Sequence, residues 1–149
     1  NFSGERRFQG YKDALKNAGI EFDNSLVTLG DFVQKTSYKN ALHLLQMDNR
    51  PTAIFAANDL SAFGVYQAAE ELEIKIPEEL SVIGFDNISE AKYLGLTSVD
   101  QFLADMGYKA VQMLIRLIEG ETLERDVHKM QTKLVVRASC QELVQAVRS

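Results

Sequence analysis

Residues 50–59 read RPTAIFAAND and residues 76–87 read IPEELSVIGFDN. In each, a proline-marked break leads into six mostly apolar residues, and the run stops on Asn or Asp. A strand wetted on one face alternates polar with apolar. Runs this continuous belong to strands covered on both faces, the mark of a parallel sheet between helices. Thr52–Ala57 and Leu80–Phe85 therefore read as two such strands. Between them Asp59–Glu73 reads as a helix, with Leu60, Phe63, Gly64, Ala68 and Leu72 on one stripe. Upstream, Thr36–Met47 is helical with Ala41, Leu42 and Leu45 facing inward. Leu26–Leu29 is a short apolar strand, closed by Gly30-Asp31. Gly4–Gly19 is a helix with Phe8, Tyr11, Leu15 and Ala18 at helical spacing and Gly19 as its stop. Downstream, Leu96–Val99 reads as a fourth strand, Leu103–Ile118 as the longest helix, ended by Gly120, and Lys133–Val136 as the last strand. The rhythm predicts an α/β fold, a parallel sheet with helices on both faces.

The chain has 149 residues, one domain's worth, with a net charge of −5 and no Lys/Arg cluster. It carries no electrostatic footprint for nucleic acid, so any DNA-reading part is expected outside these residues. Cys140 is the only cysteine. No internal disulfide can form, which favours a reducing, cytoplasmic setting. The chain starts at Asn1 directly before a helical pattern, and we expect a fragment of a longer architecture. The helix Leu103–Ile118 keeps its polar residues, Asp105, Lys109, Gln112 and Arg116, on one narrow stripe. A helix so apolar is expected to be covered on more than one side, partly by a second subunit or by sequence outside the chain.

Ligands of open α/β sheets bind beyond the carboxyl ends of the strands. The residues there are Asp31 and Phe32, Asn58 and Asp59, Asp86 and Asn87, and Asp100 and Gln101. Asp accepts from two hydroxyls at once, Asn and Gln both donate and accept, and an aromatic ring covers an apolar ligand face. The set suits a neutral, hydroxyl-rich ligand. Helix and turn capping by Asp59 and Asp86 is the plainer alternative. Arg6 and Arg7 lie in the first turn of a helix, where the macrodipole disfavours cations by ~0.3–1 kcal/mol each. Such a breach of local preference marks either a ligand-reaching guanidinium or a solvated surface pair.

Catalytic groups are sparse. His43 and His128 lie away from the strand ends, Cys140 has no nearby His, and Met106, Met113 and Met130 read as packing residues. There is no nucleophile elbow, P-loop, Cys-pair metal spacing or dinucleotide fingerprint, so no metal or cofactor is expected. Asp59 and Asp86 could form an acid–base pair in a small α/β enzyme, but no partner group supports it.

Several segments together resemble the effector-binding core of the lactose repressor (LacI/GalR) family. They are residues 7–11 with Ala14-Leu15, Gly30-Asp31-Phe32, residues 50–59 and 76–87, residues 96–101, Met106-Gly107, and residues 134–139. The resemblance runs through the whole chain in order. It implies a two-lobed, periplasmic-binding-protein-like domain of flavodoxin-like lobes, behind an N-terminal helix-turn-helix absent from this chain. Residues 1–100 and 121–149 would be mostly the C-terminal lobe, and about 101–120 a helix returning to the N-terminal lobe. Arg7, Phe32, Asn58, Asp86 and Gln101 match positions that line the effector cleft. Phe63, Tyr66, Gln67, Tyr93 and Leu94 match subunit contacts. The implied protein is a homodimeric, cytoplasmic regulator, a repressor rather than an enzyme, with a sugar, sugar phosphate or nucleobase as effector and operator DNA reached through the helix-turn-helix. A periplasmic sugar-binding protein of a transport system is the alternative, since it shares the fold and similar Asn-Asp and Gly-Phe-Asp patterns. The Pro-Glu-Glu-Leu-Ser-Val stretch and the Arg-Ala-Ser ending resemble the repressors more.

Overall fold

Strand β2 (Ser81–Phe85) is the centre of the sheet in the computed structural model, which describes residues 2–122 and 127–142. It pairs in parallel with β1 (Ala53–Phe55) on one side and with β3 (Thr97–Asp100) on the other. A fourth strand, β4 (Lys133–Val135), closes the order β1-β2-β3-β4. It runs antiparallel to β3, pairing Val99 with Leu134, so the sheet is mixed rather than wholly parallel. The parallel sheet predicted from the sequence is thus present in β1–β3, and β4 adds an antiparallel edge that periodicity, which carries no strand direction, does not reveal.

Alternation along β2 sorts the two faces. Val82 and Gly84 are buried on the side of α3 (Asp59–Glu71), while Phe85 faces the other way, toward α1 (Phe2–Asn17). A Cβ on Gly84 would collide with Asp59 and lie 2.9 Å from Leu96 Cδ2, so this β2 position admits only glycine without a shift. Gly64 does the same between α3 and α2 (Gln34–Leu45), where a Cβ would come within 2.5 Å of the Gln34 carbonyl. Ala62, Val65, Ala68, Ala69, Leu80, Val82, Leu96 and Ala91 of the short α4 (Ser89–Tyr93) form the core. Leu80 and Leu96 are wholly buried, stabilising the fold by about 1.5–3 kcal/mol each.

Two expectations need correcting. Leu26–Leu29 is not a ladder strand. A 3-10 turn spans Asn24–Leu26, built on the Asp23 side chain accepting from Ser25 N at 2.8 Å, and Val27 is extended but has no strand partner among the described residues. The buried stripe of α3 runs through Ser61, Ala62, Val65, Ala68 and Ala69, leaving Leu60 exposed. Helix α1 forms where its spacing predicts, with its apolar face largely open. Phe8 and Tyr11 meet Phe22 edge-on, but no residue of the helix is fully covered. Helix α5 (Leu103–Ile118) has the expected bounds, and no residue on it is buried, so Val111, Leu114, Leu117 and Ile118 all face outward. Part of the 121–149 stretch given to the C-terminal lobe lies outside the described residues.

Candidate functional site

The carboxyl ends of β1, β2 and β3 converge, and α1 reaches them with one side chain. Arg7 Nη1 donates to the Ala57 carbonyl at 2.5 Å, just past β1. Its guanidinium carbon lies 3.8 Å from the Phe85 ring centroid and 5.8 Å from that of Phe32. Its Nη2 is 3.6 Å from Asp86 Oδ1, close enough to attract but too long for a hydrogen bond. Donors of the guanidinium fork are thus left over for a ligand. Arg6 points elsewhere, over the Phe2 ring, and is exposed. The two adjacent arginines thus part, Arg7 to the strand ends and Arg6 to the surface.

Asp86 follows β2 with φ +111°, a conformation that L-residues other than glycine rarely hold. Its Oδ1 accepts from Gln101 Nε2 at 2.6 Å. Burial pushes the Asp86 carboxyl up, the Arg7 charge pulls it back down, the Asp59 carboxyl raises it further and the Gln101 hydrogen bond lowers it. Burial likewise lowers Arg7, and Asp86 opposes that shift. Both groups sit at the rim, with side chains 16% and 22% exposed. Phe32 (φ +66°) and Phe102 (φ +54°) add two further left-handed residues at this edge. Strained backbone gathers where a fold aims side chains at a purpose.

Asn58 belongs to the same edge but has other work. It caps α3, accepting from Ser61 N at 2.9 Å, and its amide donates to the Phe32 carbonyl at 3.2 Å. One amide hydrogen remains for a ligand. Asp59 is buried beneath it, 1% exposed, accepting from Ile88 N at 2.8 Å and from Ser98 Oγ at 2.6 Å. It is neither a helix cap nor an acid–base partner of Asp86. It ties the turn after β2 to β3. Asp31 receives Val33 N and Thr36 Oγ1 at the start of α2. Among the described residues no group of three or more His, Cys, Asp or Glu is placed to hold a metal. A broad concavity along α5, bordered by Lys109, Gln112, Met113, Arg116 and His128, lies apart from these residues.

Arg7, Phe32, Asn58, Asp86 and Gln101 are therefore brought to one edge. Reasoning from the sequence missed Phe85, whose ring is the platform for Arg7, because a residue inside an apolar strand reads as core. It also missed Arg137, which donates to Asn87 Oδ1 and to the Leu96 carbonyl. Among the residues matched to subunit contacts, Gln67, Tyr93 and Leu94 are exposed. Phe63 and Tyr66 are half-buried against the core, and Tyr66 donates its hydroxyl to the Leu94 carbonyl at 3.3 Å. Burial raises the Tyr66 phenol.

Residues 1–140 match the family model described as a periplasmic binding protein-like domain. The chain is 34% identical over 139 residues to the HTH-type transcriptional repressor PurR of Photobacterium profundum, covering 92% of this chain and 42% of that protein. Among solved structures, the transcriptional regulator CelR–cellobiose complex superposes with a TM-score of 0.82 at 34% identity, over 89% of this chain and 41% of that one. A LacI family transcriptional regulator from Enterococcus faecium, solved with bound ribose, superposes with a TM-score of 0.85 at 30% identity, over 92% and 51%. The chain spans about two fifths of the length of the curated relatives it matches. Its fold, its strand-end residues and these likenesses agree: the chain belongs to the periplasmic binding protein-like domain family, in the form carried by regulators of the LacI family.

Proposed function

We propose that this chain is the effector-sensing and dimerisation region of a LacI-type transcriptional regulator, a repressor that answers to a small hydroxylated ligand such as a sugar. The observation that carries the reading is the meeting of Arg7, Asp86 and Gln101 beside the rings of Phe32 and Phe85. The neighbouring opposite charges of Arg7 and Asp86 nearly cancel, which favours a neutral polyol over an anion. A hydroxyl can donate to Asp86 while its oxygen accepts from Arg7. The rings supply an apolar wall for the carbon face of a sugar. Relatives bound to cellobiose and to ribose belong to the same ligand class.

Sensing, on this reading, is a matter of differential affinity. A ligand held between two lobes biases their relative arrangement only by as much as it binds one arrangement better. Helix α5 is the candidate connection to the other lobe, operator DNA would be reached through a helix-turn-helix outside these residues, and the work is done in the cytoplasm without a catalytic step. Gln67, Tyr93 and Leu94, with Phe63 and Tyr66 behind them, form the proposed subunit contact. The curated relatives are repressors, so the transport-protein alternative gains no support. The test is a thermal-shift screen of the intact protein against sugars, sugar phosphates and nucleobases. A ligand at a hundredfold excess over Kd should stabilise it by about 2.7 kcal/mol. A screen in which no sugar moves the melting point would sink the hydroxylated-ligand reading.

A further inference from the structure

We propose that Arg137, which bonds to none of the cleft residues, positions Asp86 and Gln101 by clamping Asn87 against Asp100. The inference rests on the cleft reading above and deepens it.

Asp86 and Gln101 stand on different segments, one after β2 and one after β3, yet their side chains meet at 2.6 Å. Something must hold both backbones in register, because neither residue lies in regular structure. The next residue along one segment is Asn87 and the preceding residue along the other is Asp100, and these two are joined. Asn87 Nδ2 donates to Asp100 Oδ2 at 3.0 Å, while Asn87 N donates to Ser98 Oγ at 3.1 Å. The second oxygen of Asp100 accepts from Phe102 N at 2.7 Å, closing a turn around Gln101. The Asn87 amide has one acceptor, Oδ1, and Arg137 Nη2 occupies it at 2.7 Å. With Oδ1 held, the side chain is fixed with its Nδ2 on Asp100.

Arg137 is itself anchored. Its Nη1 donates to the Leu96 carbonyl at 2.6 Å and its backbone N–H donates to Thr97 Oγ1 at 2.9 Å. The guanidinium thus reaches from the start of β3 to the turn after β2. Its rigid fork suits that span better than the single point charge of a lysine. The turn needs holding. Asp86 (φ +111°) and Asn87 (φ +52°) are consecutive left-handed residues, an arrangement costly unless surrounding bonds over-determine it. The clamp supplies those bonds without entering the cleft, so it can fix the geometry of the site and leave its ligand-facing atoms free.

The experiment is hydrogen–deuterium exchange on the intact, ligand-free protein, comparing wild type with Arg137→Gln. Peptides carrying the Asn87 and Phe102 amides should exchange about tenfold faster. The peptide carrying the Ser61 amide, whose acceptor is the α3 cap Asn58 and which shares no hydrogen bond with Arg137, Asn87 or Asp100, should keep its wild-type rate. A uniform rise across all three peptides would make Arg137 a general stabiliser and overturn the proposal, as would no change at Asn87 and Phe102. Should Arg137→Gln fail to fold, Asn87→Asp keeps the acceptor for Arg137 and sets a second carboxyl oxygen against Asp100. That variant should speed exchange at Phe102 and spare Ser61, and an unaltered Phe102 rate overturns the clamp. Since exchange is read without ligand, its failure leaves the cleft reading standing, and a failed ligand screen leaves the clamp standing.

Discussion

Two aspartates lie 27 positions apart at the same end of the sheet and have opposite fates. Asp59 is sealed under the turn after β2, with a donor on each carboxyl oxygen. Asp86 stands above it at the rim, strained, half-buried and pushed up by its surroundings, with one close hydrogen bond and one loose ion pair. Both follow an apolar strand and both precede or begin a helical segment. The difference teaches that position at a strand end does not make a ligand residue. What separates the two is whether the fold has already met the side chain's hydrogen-bonding capacity.

The sharpest way to break this contrast is to delete the sealed member. Asp59→Ala leaves the Ile88 N–H and the Ser98 hydroxyl without their acceptor in a buried place, and should cost about 2–4 kcal/mol of unfolding free energy. Chemical denaturation of the intact protein measures it, and a loss under about 1 kcal/mol would erase the distinction. Deleting the rim member should do the reverse. Asp86→Ala is expected to lower stability by less than about 1 kcal/mol, because its ion pair is loose and its one close hydrogen bond, from Gln101, is only partly buried, leaving the freed donors within reach of water. The same change should abolish the effector response while operator affinity stays near wild type. A repressor of the induced kind would then repress constantly. Operator binding titrated against effector gives the readout, and a normal response in the variant removes Asp86 from the cleft.

The smallest effect concerns pH. A carboxyl raised on folding holds its proton more tightly in the native state than in the unfolded chain. Stability is therefore greatest below the unfolded value, and it falls as pH climbs through the window between that value and the raised folded one. Asp86→Asn removes this titration. Relative to wild type, the variant should gain stability as pH rises through the window from the ordinary carboxylate range upward. Melting both proteins across a pH series tests the sign. A variant that instead loses ground with rising pH would show that the Arg7 attraction outweighs burial, placing Asp86 among the structural residues with Asp59.

The fold was legible where packing writes a pattern. TAIFAA and LSVIGF hold β1 and β2 as their continuous apolarity predicts, but only β2 is covered on both faces, whereas β1 at the sheet edge leaves Ala53 and Phe55 exposed. Leu103–Ile118 kept its bounds because its stripe is unambiguous. Leu26–Leu29 misled, since an apolar run becomes a strand only beside a partner, and composition does not show partners. The direction of β4 depends on a connection rather than on any residue in it. In the site, polar residues at strand ends and an arginine placed against the helix dipole led to Arg7, Asp86 and Gln101. The family resemblance agreed with that set. Phe85 stayed hidden as an apparent core residue. Arg137 was hidden by distance along the chain, being 50 residues from the Asn87 it holds.

Ser139 has one more consequence. Its hydroxyl donates to the Val82 carbonyl and accepts from Thr97 N, and its own carbonyl receives Val82 N, so it stitches β2 to β3 from 57 residues downstream of Val82. On a ribosome adding about 5–20 residues per second, Val82 emerges roughly 3–11 seconds before the residue that bonds its N–H and carbonyl. For that interval the backbone of Val82, beyond the stretch that β3 pairs, has an unfinished edge, the kind of surface on which nascent chains stick to one another. The start of β2 thus waits for a residue well downstream, and a synthesis pause just before Ser139 would prolong that exposure.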